Sequence, residues 1–328
     1  MTSRLFICLF AACLAPATLP PATALAHCGS DSCPIDLHTR WEHQRFSLDL
    51  TQQYLDQEQP RAGTQDVPVG SIPSDEDEVR TINRITSLRA TWRPTESWIV
   101  TGSLPYVNRT HEHIMNEPGS PPMYMTWNYE GLGDTEVALS RDVWSGQEGD
   151  FELRLNAGLK MPTGRTTVPE VMGEQPEVSA RPGSGSWDGS LGAASRWLIS
   201  MPVPSGNRGA MPLRLGVVGR WNGSGTEDYR VGNEVQAHLS GEYPLTSALG
   251  LLVQGNWRSK QKDEVGSSGE EDENTGGSWV YATPGLSLQV GGQARIYGLV
   301  QIPVYQRVNG IQLVSDYNVY VGASRGMF

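Results

Sequence analysis

The chain has 328 residues and a formal net charge of −11 at pH 7. Such an acidic chain has no basic stripe with which to hold phosphates, which argues against nucleic acid as a partner. Glycine is abundant, with 37 residues, and Trp (10) and Tyr (11) both outnumber Phe (5). These amphipathic rings are favoured at membrane–water interfaces, although composition alone would also suit a soluble β-sandwich.

The N-terminus has the three parts of an export signal. Arg4 supplies a positive charge, residues 5–14 form an apolar stretch too short to span a bilayer as a helix, and Ala24-Leu25-Ala26 has the small-x-small cleavage pattern. Residues 1–26 are therefore predicted to be a signal peptide, and the mature chain to begin at His27. A rival interpretation makes Cys13 a lipidated first residue. Export follows from either.

Residues 27–44 are predicted to be a periplasmic segment that contains Cys28 and Cys33, a candidate disulfide in an oxidising compartment. Two alternatives stay open: a metal held by Cys28, Cys33 and His27 or His38, and a redox-active pair or docking element. Covalent haem attachment needs Cys-x-x-Cys-His, which the sequence lacks.

Alternating hydrophobicity then recurs along the chain. Over residues 151–161 the odd positions are apolar, from Phe151 to Met161, and the residues between them include Glu152, Arg154 and Lys160. A strand with this pattern has one apolar face and one charged face. Comparable segments begin near Phe46, Ile82, Trp98, Asp134, Trp187, Leu213, Val231, Leu249, Trp279, Ala294 and Asp316, which predicts about twelve strands.

The connections between these segments alternate between long and short, with one imperfect fit, a connection of medium length near residues 201–212. Long ones cover about residues 55–79, 108–132, 162–186 and 260–277, and short ones lie at 93–97, 145–150, 244–247 and 291–293. Outer-membrane barrels alternate long external loops with short periplasmic turns in this way. Residues 45–328 are therefore predicted to form an all-β, transmembrane, antiparallel up-and-down barrel of about twelve strands in the bacterial outer membrane.

The polar faces of these strands should point into the barrel. The candidate pore-lining residues are Glu152, Arg154, Lys160, Arg196, Arg220, Glu234, Gln236, His238, Arg258, Arg295, Tyr297 and Gln301, together with Arg214, Glu242 and Gln254. Mixed charge lines either a water-filled pore or a plugged, salt-bridged interior, and both alternatives stay open.

Three other features suggest chemistry at the external loops. Apolar residues between Ile114 and Trp127 would suit either an entry path for apolar solutes or a loop that packs on itself as a lid. His111 and His113 are weak candidates for metal binding, and a solvated loop end is the alternative. The acidic runs at 75–78 and 270–273 could bridge divalent cations among lipopolysaccharide phosphates, or form hydrated surface.

Several blocks resemble a known family. They are Gly131-Leu132-Gly133-Asp134, the Met161-Pro162-Thr163-Gly164 and Pro182-Gly183-Ser184-Gly185 pair, Thr283-Pro284-Gly285, and Gln301-Ile302-Pro303-Val304. The chain is similar from about residue 80 onward to the "MetA-pathway of phenol degradation" family of outer-membrane transporters. The resemblance implies a barrel that acts as a diffusion channel, with a family name tied to aromatic compounds.

Together these patterns predict a channel or transporter for small molecules, with hydrophobic or aromatic compounds as the class that the resemblance implies. The alternative is a scaffold barrel that docks a periplasmic, redox-active partner through the Cys28–Cys33 segment. No catalytic residue, resident metal or cofactor is predicted. Expected partners are outer-membrane lipid, lipopolysaccharide, the barrel-assembly machinery and a small-molecule solute.

Overall fold

A computed structural model describes residues 44–72, 76–116, 121–146, 150–171, 173, 175–202 and 208–327. The predicted signal peptide, and His27, Cys28 and Cys33, lie outside the described residues. The strands are β1 (Phe46–Ala62), β2 (Gln65–Asp66), β3 (Glu76–Trp92), β4 (Trp98–Met115), β5 (Met123–Leu132), β6 (Thr135–Ser145), β7 (Phe151–Met161), β8 (Asp188–Pro202), β9 (Arg208–Asn222), β10 (Glu234–Pro244), β11 (Leu249–Lys260), β12 (Glu264–Val265), β13 (Glu270–Glu271), β14 (Gly277–Val290), β15 (Ala294–Val308) and β16 (Ile311–Met327).

Two short 3-10 helices, Val178–Ala180 and Thr226–Asp228, lie in the connections. Within the described ranges, neither helix has the length or apolar character needed to cross a membrane.

The strands close into an antiparallel barrel with twelve strand positions around its wall, which confirms the predicted fold. The strand at each position pairs with the strands before and after it in sequence, and β1 pairs with β16 from Phe46↔Met327 to Ala62↔Ile311. Closure satisfies the backbone N–H and C=O groups of what would otherwise be two free sheet edges, as a bilayer requires.

The fourth position in the barrel wall is occupied by two strands, β5 and β6, which both pair with β4. β4 pairs with β6 over Trp98–Ser103 and with β5 over Tyr106–Met115. The sequence predicted residues 108–132 to be a loop, and that prediction was wrong. In the β4–β5 hairpin, most outward residues are polar and the aromatic residues face inward. This is the reverse of the other strands, so the sequence lacks the apolar outer face by which those strands were recognised.

Leucines cover the outside of the barrel. On β7, Leu155 and Leu159 are about half exposed, at 50% and 46%, and Leu191 on β8 is exposed at 58%. Because each is already about half covered, it would gain roughly 1 kcal/mol more on leaving water, and an apolar surface of this extent is a membrane-facing one. The outer face of the barrel therefore matches a lipid bilayer.

The apolar band ends partway along β4. Leu104 and Tyr106 are its last exposed apolar residues, and the next outward positions are polar: Asn108 donates a hydrogen bond to Glu130, and Thr110 donates one to Asn128. The β4–β5 hairpin beyond Tyr106 thus rises out of the band, and His113 stands about 20 Å beyond it at the usual rise of a strand.

The two ends of the barrel differ. Turns at residues 93–97, 245–248 and 291–293 join strands at one end, where Phe46 and Met327 also pair; we call this the short-turn end. Connections 162–187, 223–233 and 261–276 lie at the opposite, long-loop end. Long and short connections therefore lie at opposite ends as predicted, but the predicted long connection at 55–79 was wrong in its bounds, since β1 continues to Ala62 and β3 begins at Glu76.

Candidate functional site: a constricted, off-centre lumen

A cavity of about 350 Å³ occupies the lumen towards the short-turn end. We call it the lower chamber. Its wall on β6–β9 is built from small inward residues, including Ala138, Gly158, Ser190, Ala194 and Gly216. A Cβ added at Gly158 would lie 2.4 Å from the Ser190 hydroxyl oxygen, so a larger residue there would have to displace the Ser190 side chain. Small side chains on this side leave the space that makes the chamber.

The opposite wall, on β11–β16, is filled. Gln301 and Asn318 are almost completely buried, and the Asn318 amide donates a hydrogen bond of 3.0 Å to the Gln301 carbonyl oxygen. The Thr283 hydroxyl donates to Asn256 at 2.9 Å, and Leu252 packs with Tyr297, Leu299 and Tyr320. A satisfied polar network of this kind is rigid. The open part of the lumen therefore runs off-centre, along the β4–β9 wall.

Paired charges line the lower chamber. Asp142 accepts hydrogen bonds from Arg93 at 3.1 Å and from Arg154 at 2.6 Å, and Arg196 pairs with Glu152. In all, six arginines (Arg89, Arg93, Arg154, Arg196, Arg214 and Arg220) but only four carboxylates (Asp49, Glu136, Asp142 and Glu152) border this cavity. The lining is thus net positive in a chain that is net negative.

A second cavity, of about 390 Å³, lies nearer the long-loop end; we call it the upper chamber. Asp49, Arg89, Ser103, Glu136 and Arg220 border both chambers and define the waist between them.

Most of the charges at the waist are engaged. The Arg220–Glu136 pair is 2.5 Å apart, and the Tyr297 hydroxyl donates to Asp49 at 2.9 Å. Within the described part of the chain, Arg89 has no carboxylate partner. Its guanidinium therefore stays available to a passing solute.

Residues 162–187, which we call the strap, fold back into the long-loop end of the barrel instead of extending away from it. Val178 and Ala180 are buried, and both Arg109 and Tyr129 donate hydrogen bonds to the Ala180 carbonyl oxygen, the latter at 2.7 Å. The strap borders the upper chamber through Val178 and Pro182. It therefore narrows the lumen above the waist.

The two ends of the strap are fastened to the wall by one buried ionic cluster, the latch. The Lys160 ammonium lies 3.0 Å from Asp134 and 2.6 Å from Asp188. Asp134 also accepts hydrogen bonds from the backbone N–H of Gly164 at 2.9 Å and of Ser184 at 3.0 Å. Both carboxylates therefore have several partners in a site with little water.

Glycine makes the latch possible. A Cβ added at Gly183 would lie 2.5 Å from the Gly164 carbonyl carbon, a distance at which the two backbones would be forced apart. The Pro-Thr-Gly and Pro-Gly-Ser-Gly blocks of the sequence therefore meet here, in contact with each other.

A second anchor lies beneath the connection at residues 223–233. Asp263, 1% exposed, accepts a hydrogen bond from the backbone N–H of Gly232 at 2.7 Å and pairs with Lys260 at 2.9 Å. Tyr229 also donates to Asp263. Burial, and then the charge of Asp263, raise the pKa of Tyr229 well above its usual range, so this phenol stays a donor.

The structure places the predicted pore-lining residues on the inside of the barrel, in different surroundings. Those that border the lower chamber are Glu152, Arg154, Arg196, Arg214, Arg220, Gln236 and His238. Lys160 belongs to the latch. Arg295, Tyr297 and Gln301 are buried in the filled wall, and Glu234 bridges Arg220 and Arg258. Their role in conduction stays a prediction.

Five charged residues of the lower chamber were not predicted from the sequence: Arg93, which lies in a turn, and Asp49, Arg89, Glu136 and Asp142. The last four occupy inward positions of β1, β3 and β6, so extending the alternation to those strands would have found them. The acidic run at 75–78 was also misjudged, since Asp77 and Glu78 are buried in β3. Across the described ranges, no three His, Cys, Asp or Glu side chains come together as a metal site.

Comparison with solved structures gives the same fold. The COG4313 outer membrane channel from Pseudomonas putida F1 has a TM-score of 0.62 at 12% identity, covering 90% of this chain and 100% of that one. The transport unit of the autotransporter AIDA-I from Escherichia coli has a TM-score of 0.49 at 11% identity, covering 90% of this chain and 93% of that one. At 12% identity, the likeness to the COG4313 channel shows the fold alone.

A comparison with curated proteins found no match. The family described as "Putative MetA-pathway of phenol degradation" matches residues 61–308. This range includes the latch, the strap and most of the wall of the lumen. The chain belongs to this family.

Proposed function

We propose that the protein is an outer-membrane channel through which small solutes pass along the off-centre lumen, with the long-loop end outside the cell. The observation that carries this proposal is the pair of chambers, of about 390 and 350 Å³, that meet at a charged waist inside a closed barrel. Chambers of this size suit small molecules one at a time.

The charge of the lining supports a preference for anions. Six arginines face four carboxylates around the lower chamber, and rings of charged side chains set the selectivity of a pore. Arg89 is the strongest single candidate, because it stands at the waist without a carboxylate partner among the described residues. A carboxylate-bearing solute would therefore be held there more favourably than an amine.

Uptake into proteoliposomes tests this function. Liposomes that contain the folded protein should admit a small carboxylate faster than a neutral solute of equal size, and an amine most slowly. Arg89→Gln should reduce the advantage of the carboxylate severalfold. Arg307→Gln is the matched control, since Arg307 lies on β15 with an exposed side chain away from both chambers. Equal rates for all three solutes would contradict the charge preference.

The rival function is a scaffold that docks a periplasmic partner through the predicted Cys28–Cys33 segment. It predicts a folded barrel that admits none of the three solutes.

A further inference from the structure

Two opposite charges at the waist lie side by side without forming an ion pair. Asp49 on β1 and Arg89 on β3 are directly opposite each other in the β1–β3 ladder, and both border the two chambers. Directly opposed side chains have their Cβ atoms about 4.5–5.5 Å apart, which is within reach for an arginine and an aspartate. Among the described residues, Arg89 nevertheless has no carboxylate partner. We therefore asked what holds the Asp49 carboxylate away from Arg89.

Two hydroxyl groups hold Asp49 towards the opposite side of β1. The Tyr297 hydroxyl donates to both carboxylate oxygens of Asp49, at 2.9 Å each, and the Thr51 hydroxyl donates to Oδ1 at 2.7 Å. Tyr297 and Thr51 are each only 3% exposed, so water competes little for these bonds. Hydrogen bonds to an ionised carboxylate are stronger than those between neutral groups. Both oxygens of Asp49 are therefore engaged on the side of β1 that faces β16, whereas Arg89 lies on the side that faces β3.

A glycine on β16 allows Tyr297 to reach Asp49. Tyr297 lies on β15, and β16 stands between β15 and β1. Gly322 on β16 pairs with Tyr297 in one ladder and with Thr51 in the other. A Cβ added at Gly322 would collide with both the Cζ atom and the hydroxyl oxygen of Tyr297. The phenol ring therefore crosses β16 directly over Gly322, and a side chain at this position would displace its hydroxyl group.

The surroundings of the Tyr297 ring fix its orientation. The ring packs in one buried cluster with Leu252, Leu299 and Tyr320, and the Arg295 guanidinium lies over it, 5.7 Å from the ring centroid. Side chains in such close packing keep one orientation, and the cation over the ring adds an attraction of its own. The hydroxyl group is therefore presented to Asp49 from a fixed position in the filled wall.

We infer that Tyr297 is a positioning residue for the anion site at the waist: it holds Asp49 towards β16 and thereby leaves the Arg89 guanidinium free for a passing anion. This inference rests on the proposed channel function and extends it, since Arg89 itself would touch the solute and Tyr297 acts only through Asp49. Without the Tyr297 hydroxyl group, Asp49 would turn to Arg89, and an ion pair would occupy the guanidinium.

Ion selectivity tests this role. Tyr297→Phe should lower the ratio of chloride to potassium permeability severalfold, measured by reversal potential. The double variant Tyr297→Phe, Asp49→Asn should restore at least the wild-type ratio, because no carboxylate is left at position 49 to pair with Arg89. Tyr305→Phe is the matched control, since Tyr305 lies on the same strand, is 46% exposed and borders neither chamber. It should keep the wild-type ratio.

Two glycine variants test the path of the phenol ring. Gly322→Ala should displace the Tyr297 hydroxyl group and lower the permeability ratio as Tyr297→Phe does. Gly298→Ala, on β15, is its control: within 4 Å, the added Cβ meets only the Tyr320 carbonyl oxygen, at 3.8 Å. A wild-type ratio in a folded Gly322→Ala barrel would contradict the path over Gly322.

The chemical reactivity of Arg89 provides a readout that needs no conduction. Methylglyoxal, which modifies free guanidinium groups, is added to the folded barrel in detergent, and the modification of Arg89 is followed by peptide mass spectrometry. Arg89 should react in Tyr297→Phe roughly fivefold more slowly than in the wild type, the factor that corresponds to an ion pair of about 1 kcal/mol. In the double variant it should react at the wild-type rate.

The two readouts separate this inference from the channel function. Reactivity of Arg89 that Tyr297→Phe leaves unchanged would overturn the inference. A loss of reactivity or selectivity that Asp49→Asn does not reverse would also overturn it, because the loss would then come from disturbed packing. The expected pattern of reactivity in a barrel that never conducts would support the positioning role and refute the channel. Anion selectivity that is equal in the wild type and Tyr297→Phe would refute the positioning role alone.

Discussion

Removing the ammonium of the latch should release the strap. Lys160 is 12% exposed, and its partners Asp134 and Asp188 are 6% and 4% exposed. Lys160→Met would leave two carboxylates in this buried site with no cation between them. Breaking a buried ion pair by removing one partner typically costs about 3–5 kcal/mol. The carboxylates can recover their hydration only if water enters, which requires the strap to lift away from the wall.

A destabilisation of that size corresponds to roughly a hundredfold to a few thousandfold greater population of the lifted strap. Hydrogen exchange measured on peptides from residues 162–187 should therefore accelerate by a comparable factor in Lys160→Met, while peptides from the filled wall keep their protection.

Lys262→Met is the matched control. Lys262 pairs with Glu271 at 3.7 Å, and both side chains are accessible to water, so its loss should cost less than about 1 kcal/mol. The triple variant Lys160→Met, Asp134→Asn, Asp188→Asn removes the uncompensated charge and should exchange more slowly than Lys160→Met. Equal exchange in Lys160→Met and Lys262→Met would refute the latch as the fastening of the strap.

Three further predictions follow from the same geometry. Gly183→Ala should push the backbones of Gly164 and residue 183 apart and speed hydrogen exchange in the strap. Gly189→Ala, with nothing within 4 Å of its added Cβ, should leave hydrogen exchange unchanged. Equal exchange in the two variants would contradict the close contact between the two glycines. Glu136→Gln removes a carboxylate from the waist and should raise the anion-to-cation permeability ratio, measured by reversal potential; a lower ratio would refute the assignment of the waist. The pKa of His113 is about 4 in the folded protein against about 6.5 for a free imidazole, so stability present above pH 6.5 should be lost as the pH falls towards 4. The contribution of His113 should total about 3 kcal/mol, so between pH 6.5 and pH 4 the free energy of unfolding should fall by about that much more in the wild type than in His113→Phe. Burial, and then the charges of His113 and Arg109, also lower the pKa of the neighbouring His111 to about 3, so both proteins should show a further loss. Equal losses in the two proteins would contradict the prediction.

The barrel could be predicted because the alternation of lipid-facing and inward-facing residues along each strand is a local property of the sequence. Every second residue of β7 faces lipid, so Leu155 and Leu159 alternate with Arg154 and Lys160 whatever the rest of the chain does. The same alternation of inward and outward residues predicted that the charged residues lie on the inside.

The long-loop end was less predictable, because its packing depends on contacts between distant residues. The strap folds inward through Gly164 against Gly183 and through Arg109 against Ala180, and no periodicity in residues 162–187 indicates either contact. Asp77 and Glu78 form part of a charge run, a pattern typical of hydrated surface, yet the β3–β4 ladder buries them.

The off-centre position of the lumen could not be predicted from the alternation of inward and outward residues. Gln301 and Arg220 both face inward, but the first is sealed in the filled wall and the second stands at the waist. What separates them is the size of the side chains on neighbouring strands: Asn318 and Tyr320 fill the space around Gln301. The Cys28–Cys33 disulfide and the cleavage before His27 stay predictions.

Single-channel recording in planar bilayers tests the central claim most directly. Folded protein under a gradient of KCl should give small, stepwise currents whose reversal potential shows a preference for chloride. A correctly folded barrel that gives no steps, or one that prefers potassium, would contradict the account of an open lumen with a net positive lining.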